Sequence, residues 1–284
     1  MNRAERRRQA KTTDKPSVPL TESRTRQFSV ATIKNQLQQA TSPEEVRQLL
    51  DGLVRQELPA MASAELSAYT AQYHETTAAL RDGSDVESVA AVVDNAHTWA
   101  DAMIDRSPER DRRACRAGCA FCCYLPTVLV TAAEVVHLAA WLQEHLSPEE
   151  LSALRQRLAQ RCEQTAQSSS FSRSETSMLP CALLRNNQCM AYAARPLKCR
   201  GWNSLRREAC EQAYGHDSLI GQVPADAYAF LMGNAVLNGL SDGVKHVKLD
   251  GGSYDLSFAL AQVLDMPDVV QRWRTGEQLF ADSL

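Results

Sequence analysis

The sequence contains a nine-residue stretch with four of its nine cysteines: Cys115-Arg116-Ala117-Gly118-Cys119-Ala120-Phe121-Cys122-Cys123. Three more, Cys181, Cys189 and Cys199, follow about sixty residues later, and Cys210 comes soon after them. Thiolates at such spacings are ligands for a soft metal ion or an iron–sulfur cluster. The sequence therefore predicts a metal site but says much less about its purpose.

The number of thiols bears on the number of metal centres. Seven or eight thiols exceed the four that a structural zinc site or one [4Fe–4S] cluster takes. Cys119 and Cys122 have the gap that lets two thiolates reach one metal from a tight turn, whereas the neighbours Cys122 and Cys123 point apart. Two centres fit this count, as does one centre with thiols that bind no metal. Cys162 lies on a predicted apolar helix face, and we expect it to be buried rather than metal-bound.

The composition is that of an ordinary globular protein, with 44% hydrophobic and 23% charged residues among 284. A net charge of -3 gives no electrostatic reason to expect nucleic acid or a membrane as a partner. The basic N-terminus lacks the apolar segment of a secretory signal. We therefore expect a cytoplasmic protein, in which thiols stay reduced and clustered cysteines hold metal rather than form disulfides.

Charge and apolar spacing divide the chain into three parts. Residues 1–40 carry nine Lys and Arg against three Asp and Glu, which predicts a disordered basic tail. Residues 41–59 are predicted as a short amphipathic helix and linker. From 60 to 284 we predict a mainly α fold: a helical cysteine-cluster domain with irregular metal-binding loops and one short β-hairpin near the C-terminus, within 244–257.

Local signals place the helices of this domain. Capping-box patterns predict helix starts at Ser84, Thr131 and Ser147. Apolar residues at helical spacing predict further helices over 60–81, 224–240, 258–264 and 267–273. The histidines His97, His137 and His145 fall on such helices without a cysteine at ligand spacing, and we expect packing or surface roles for them.

The cysteine pattern resembles the bacterial CxxCxxCC cysteine-cluster family, also called YkgJ-type, a zinc- or iron-chelating domain. The resemblance rests on Cys-x3-Cys-x2-Cys-Cys and on three later motifs: Pro180-Cys181-Ala182-Leu183, Gln188-Cys189-Met190-Ala191-Tyr192 and Arg195-Pro196-Leu197-Lys198-Cys199-Arg200. It covers Cys115 to Trp202, about a third of the chain. It implies metal coordination by Cys115, Cys119, Cys122, Cys123, Cys181, Cys189 and Cys199, with Cys210 as an eighth ligand.

A related cysteine-cluster group, the flagellin lysine N-methylases, is similar in these motifs. That similarity favours an iron–sulfur cluster, most simply [4Fe–4S], over zinc. Within the last motif, Pro196 would stiffen the turn that presents Cys199. The guanidinium groups of Arg195 and Arg200 would offset the negative charge of several thiolates.

Three functions remain open at this point, and whether the protein is an enzyme is open with them. The first is a non-catalytic metal-binding protein whose centre joins helices, or which stores or senses metal. The second is an iron–sulfur methylase or redox enzyme: the Cys115-x3-Cys119-x-Phe121-Cys122 segment resembles the radical S-adenosylmethionine motif, although no barrel pattern follows it. The third is a zinc-bound interaction module whose basic tail contacts a partner.

Overall fold

The computed structural model describes most of the predicted helical domain. Its described residues, besides Glu45, are 60–82, 86–116, 118–125, 127–167, 180–214 and 222–280. All of them except Glu45 belong to one compact unit within 51–284. The predicted basic tail, the 41–59 helix apart from Glu45, and the Ser84 start signal lie outside the described residues.

The structure is mainly helical, as predicted. Its α-helices are α1 (Ala60–Asp82), α2 (Val86–Ile104), α3 (Ala132–His145), α4 (Pro148–Gln167), α5 (Leu197–Gly201), α6 (Arg207–Ala213), α7 (Ala227–His246), α8 (Leu256–Val263) and α9 (Val269–Arg274). Two short 3-10 helices cover Arg110–Arg112 and Phe121–Tyr124. Among the described residues, no helix has the length and apolar content to cross a bilayer.

Two small antiparallel sheets lie within the described part of the chain. Strand β1 (Leu129–Thr131) pairs with β4 (Ser253–Asp255), and β2 (Leu184–Arg185) pairs with β3 (Gln188–Cys189). The strand predicted near the C-terminus is thus present as β4, but its partner is the distant β1. The reason is that α7 continues to His246 and takes the residues that a local partner strand would need.

The hairpin in the structure is instead the β2–β3 pair, in the middle of the cysteine motifs. Its turn residues Asn186 and Asn187 both have positive φ, 52° and 60°. Two consecutive residues of this kind are what a type I′ hairpin turn requires, and asparagine tolerates them well. The turn therefore fixes the position of Cys189 at the end of β3.

Side-chain caps explain where several helices begin. The predicted capping box before α3 is confirmed, because Thr131 Oγ1 accepts from Glu134 N at 3.2 Å and Glu134 Oε2 accepts from Thr131 N at 2.9 Å. Helix α7 begins slightly later than predicted because the buried Asp226 carboxylate accepts from Ala229 N at 2.9 Å. This cap sets the start of α7, a helix of 20 residues.

The apolar core lies between the long helices. Helix α7 packs along α1 so closely that a Cβ added at Gly239 would overlap the Tyr69 carbonyl oxygen and lie 2.9 Å from Gln72 Cβ. Helices α2 and α3 bury aliphatic stripes, and α9 adds the fully buried Trp273. These helices form a scaffold from which the irregular segments between 105 and 128 and between 180 and 206 emerge.

Candidate metal centre

The first cysteine loop is held by tight local turns. Cys119 N–H donates to the Arg116 carbonyl at 2.9 Å. Gly118, with φ of +82°, occupies the third position of this turn, where type II turns require a positive φ. The 3-10 helix that follows carries Cys122 and Cys123, and Cys123 N–H donates to the Ala120 carbonyl at 2.9 Å. The loop therefore presents its thiols from a short, defined backbone.

The second cysteine loop is bonded directly to the first. Cys181 N–H donates to the Cys123 carbonyl at 2.6 Å, so the two segments touch although 58 residues separate them (181 − 123). Leu184 N–H then donates to the Cys181 carbonyl at 2.8 Å and begins the β2–β3 hairpin. The two cysteine motifs therefore lie next to each other in the fold.

Cys199 lies on α5, and a buried carboxylate holds the start of that helix. Glu134 Oε1 accepts from Leu197 N at 2.7 Å, while the other oxygen of the same carboxylate closes the α3 capping box. Pro196 precedes the helix with φ of −58°, in agreement with its expected role in presenting Cys199. One glutamate therefore fixes the starts of two helices and, through α5, the position of Cys199.

Ser204 connects Cys115 with Cys210. Its backbone N–H donates to Cys115 Sγ at 3.2 Å, and its side chain acts on the Cys210 thiol and favours the charged form. Ala114 N–H donates to the Ser204 carbonyl at 2.8 Å, which keeps the chain before Cys115 against this segment. The structure therefore brings Cys210, the eighth candidate, beside the first cysteine loop.

Electrostatic interactions divide the thiols into two groups. The first group is Cys115, Cys119 and Cys210: burial raises the pKa of Cys115, and the charges of Cys119, Cys122 and Cys210 raise it further. The second group is Cys123, Cys181, Cys189 and Cys199, linked in the same way. Cys122 interacts with members of both groups. Cys162, on α4, is half-buried and not fully buried as predicted, and the charges that act on its thiol are those of Asp255 and Arg161.

The second group would be strongly protonated without a bound cation. Surrounding protein atoms, followed by the charges of Cys181 and Cys122, raise the pKa of Cys199 well above the usual thiol value. Burial raises the pKa of Cys189 to about 11. Cys122, which interacts with both groups, differs from these thiols, because the Cys123 thiol donates to it and lowers its pKa to about 7. A metal ion binding here would displace protons, since thiolates are the ligating form.

Backbone N–H groups point at several of these sulfurs. Ser204 donates to Cys115, Leu183 to Cys181 and Ala191 to Cys189. Such bonds stabilise the charged form of a thiol. They are also the bonds that orient and tune metal-bound thiolates. The chemistry of the donor set thus suits a thiolate-bound metal in both groups.

The two arginines of the last motif have different surroundings. Arg195 lies over the exposed Tyr192 ring at 3.9 Å, and its positive charge favours the thiolate forms of Cys122 and Cys189. Arg200 is buried and donates to the Arg195 carbonyl at 2.8 Å and to Asp101 Oδ2 at 2.6 Å. Arg195 therefore matches the expected charge role, whereas the hydrogen bonds of Arg200 brace the turn that precedes Cys199.

Two arginines of α4 support both cysteine loops, and the sequence motifs did not identify them. The buried Arg161 donates to the Leu125 carbonyl at 2.7 Å and to the Pro180 carbonyl at 3.1 Å. One turn earlier, Arg157 donates to the Ala182 carbonyl at 2.8 Å. The sequence feature that could have identified them is an Arg-x3-Arg pair beside the apolar stripe of an otherwise polar helix.

Asp226 anchors the chain before Cys115. Besides capping α7, its carboxylate accepts from Ser107 Oγ at 2.8 Å and from Arg113 Nε at 2.9 Å. Arg113 precedes Cys115 by two residues, so the cap of a scaffold helix also fixes the entry to the first cysteine loop. No local sequence pattern predicts this connection, because its partners are distant along the chain.

Comparison with known proteins supports metal chelation. Residues 114–214, about a third of the chain, match the model of the CxxCxxCC family, whose description is "Putative zinc- or iron-chelating domain". The matched segment includes all eight candidate cysteines, from Cys115 to Cys210. No curated protein and no solved structure matches the chain. The segment from 114 to 214 thus matches the CxxCxxCC domain, and this match supports metal binding.

Proposed function

We propose that this chain is an iron–sulfur protein with two four-thiolate centres. The first centre would be held by Cys115, Cys119, Cys122 and Cys210, and the second by Cys123, Cys181, Cys189 and Cys199. The observation that carries the proposal is the division of the thiols into two groups, with Cys122 able to complete the first. Each centre then has the four thiolates that one [4Fe–4S] cluster takes.

The division also gives a role to the adjacent pair Cys122 and Cys123. The Cys123 thiol donates to Cys122, so the two sulfurs lie side by side, and we propose that each serves a different centre. Cys123 interacts with Cys181 and Cys199, whereas Cys122 interacts with Cys115 and Cys210 and also with Cys181, Cys189 and Cys199. The pair would therefore lie where the two centres meet.

Iron–sulfur clusters are favoured over zinc by the similarity of the motifs to those of the flagellin lysine N-methylases. The family description allows either metal. When bound, an iron–sulfur cluster supplies one-electron redox chemistry. The N–H groups of Leu183 and Ala191 and the charge of Arg195 would set its potential by stabilising the thiolate sulfurs. On this basis we propose a redox role for the two centres.

Anaerobic purification with analysis of iron, sulfide and zinc tests this proposal. We expect a brown protein with about eight irons and about eight sulfides per chain, which is two [4Fe–4S] clusters. A Cys162→Ser variant is the matched control and should keep the full content. About four irons would leave one centre and refute the division into two. A colourless protein with zinc at the cysteines would overturn the assignment of iron.

A further inference from the structure

A second cluster of metal-ligating side chains lies between α2 and α3 and contains no cysteine. Asp94 and His97 are three residues apart on α2 and so share one helix face, and His137 faces them from α3. One ligand atom from each of the three residues lies within 4.8 Å of the other two. The sequence predicts packing roles for both histidines, because a pair formed across two helices has no local spacing.

The histidines of this cluster are buried but lack the bonds that buried histidines normally make. His97 is 4% exposed and His137 5%. His137 Nε2 bonds to Asp94 Oδ1 at 3.0 Å, but among the described residues nothing hydrogen-bonds to either ring nitrogen of His97 or to Nδ1 of His137. An unsatisfied buried polar group costs about 1–3 kcal/mol. Several of them at one place require a ligand or another physical explanation.

Both imidazoles are in the form that binds metal. Burial, followed by the charge of Arg200, lowers the pKa of His97 to about 2. Burial also lowers the pKa of His137, against the opposing effect of Asp94. Neutral imidazole has a free lone pair, which makes histidine the commonest metal ligand in proteins.

We propose that Asp94, His97 and His137 form a metal site separate from the cysteine centres, which takes a divalent first-row transition ion such as Fe²⁺, Co²⁺ or Zn²⁺. Two imidazoles and one carboxylate are a known ligand set for such ions and leave coordination positions open. The ion would satisfy a nitrogen of His97 that the described protein groups leave unbonded. It would also replace the bond between His137 and Asp94.

The surface of the cluster gives the ion a route and a counter-charge. The Asp94 side chain is 64% exposed, so an ion can reach the carboxylate from solvent and pass to the buried imidazoles. The guanidinium groups of Arg195 and Arg200 act on His97 and would oppose a cation. Arg200 is, however, paired with Asp101 at 2.6 Å, which offsets its charge. We therefore expect binding that depends strongly on the Asp94 carboxylate.

The proposed site lies partly on α3, the helix that also positions Cys199 through Glu134. His137 follows Glu134 by three residues on α3, and Glu134 holds the start of the helix that carries Cys199. Arg200, the residue after Cys199, acts electrostatically on both His97 and His137. An ion at the site would therefore lie beside the elements that position the second group of thiols.

Cobalt titration of the full chain tests this site. The protein is purified anaerobically with its cysteine centres loaded, and Co²⁺ is added at equilibrium. We expect one further equivalent to bind, with the weak visible bands of cobalt held by nitrogen and oxygen and without intense sulfur-to-cobalt bands. Because the site contains no cysteine, this result does not depend on whether iron or zinc fills the thiol centres.

Two variants and one control decide the outcome. Asp94→Asn changes an exposed side chain, and we expect it to weaken cobalt binding by about tenfold or more while leaving the iron or zinc content unchanged. His137→Gln should have a similar effect. His145→Gln, on an exposed turn of the same helix, should bind cobalt like the wild type. Absence of the extra equivalent, or undiminished binding in Asp94→Asn, would overturn the proposal.

Discussion

The α1–α7 interface and the cysteine loops are ordered by different forces. The two helices approach until their backbones nearly touch at Gly239, and buried side chains, Gln72 and Thr76 among them, fill the space around the contact. The loops are held by hydrogen bonds from the buried side chains of Arg161, Glu134 and Asp226 to their backbone and flanking residues. The helical interface contains none of the candidate metal ligands, whereas the loops collect the thiols, several of them with raised pKa values. We infer that a bound metal contributes mainly to the order of the loops.

A substitution at Asp226 should damage both regions, because this carboxylate caps α7 and also holds Arg113 before Cys115. We expect Asp226→Ala to lower the free energy of unfolding by about 4 kcal/mol, since it removes a helix cap and leaves the nearly buried Arg113 with the more distant, exposed Asp105 as its acidic partner. Urea denaturation measures this loss. Asp226→Asn keeps a cap acceptor and should lose less. Equal losses in the two variants would show that the charge has no part in the effect.

The stability that Asp226 contributes should also depend on pH. Burial opposes ionisation of Asp226, but hydrogen bonds from Ala229, Ser107 and Arg113 outweigh it and hold the pKa below the usual value. The resulting stabilisation is present above the ordinary carboxyl pKa and is lost as the pH falls through the lower folded value. The asparagine variant should lack this part of the acid transition.

A substitution at Gly239 should affect the helical interface first. Helix propensity alone predicts that Gly239→Ala stabilises α7 by about 1 kcal/mol. The added Cβ would overlap the Tyr69 carbonyl, so we expect a net loss of about 3 kcal/mol instead. The sign of the change in urea denaturation decides between the two. Asn238→Ala, at the neighbouring half-buried position, should change stability by only about 0.5 kcal/mol.

A substitution at Arg161 should affect the cysteine loops and spare the helical interface. Arg161→Met removes the donors to the Leu125 and Pro180 carbonyls, at an expected loss of about 2 kcal/mol and a faster loss of bound metal to a chelator. The control is Arg155→Met, which removes an exposed pair with Asp265 and should cost less than about 0.5 kcal/mol. Equal rates of metal loss in the two variants would contradict a bracing role for Arg161.

Local features of the fold could be predicted from the sequence, and long-range ones could not. The start of α3 is readable because Thr131 and Glu134 act across a single turn. The partner of β4 is not readable, because β1 lies more than a hundred residues away. For the candidate site, spacing identified the cysteines, but their division into two groups depends on how the loops meet. Arg161 was missed for the same reason, since its partners lie in the two cysteine loops, and so was the approach of His97 to His137, which lies on another helix.

Iron analysis of single-cysteine variants tests the two-centre proposal most directly. Cys210→Ser removes a ligand of the first centre and Cys189→Ser a ligand of the second, and Cys162→Ser serves as the control. We predict that each of the first two variants, purified anaerobically, keeps about half of the wild-type iron and sulfide, and that the control keeps all of it. Full iron content in Cys210→Ser would contradict the proposal, because the first centre would then not use this thiol.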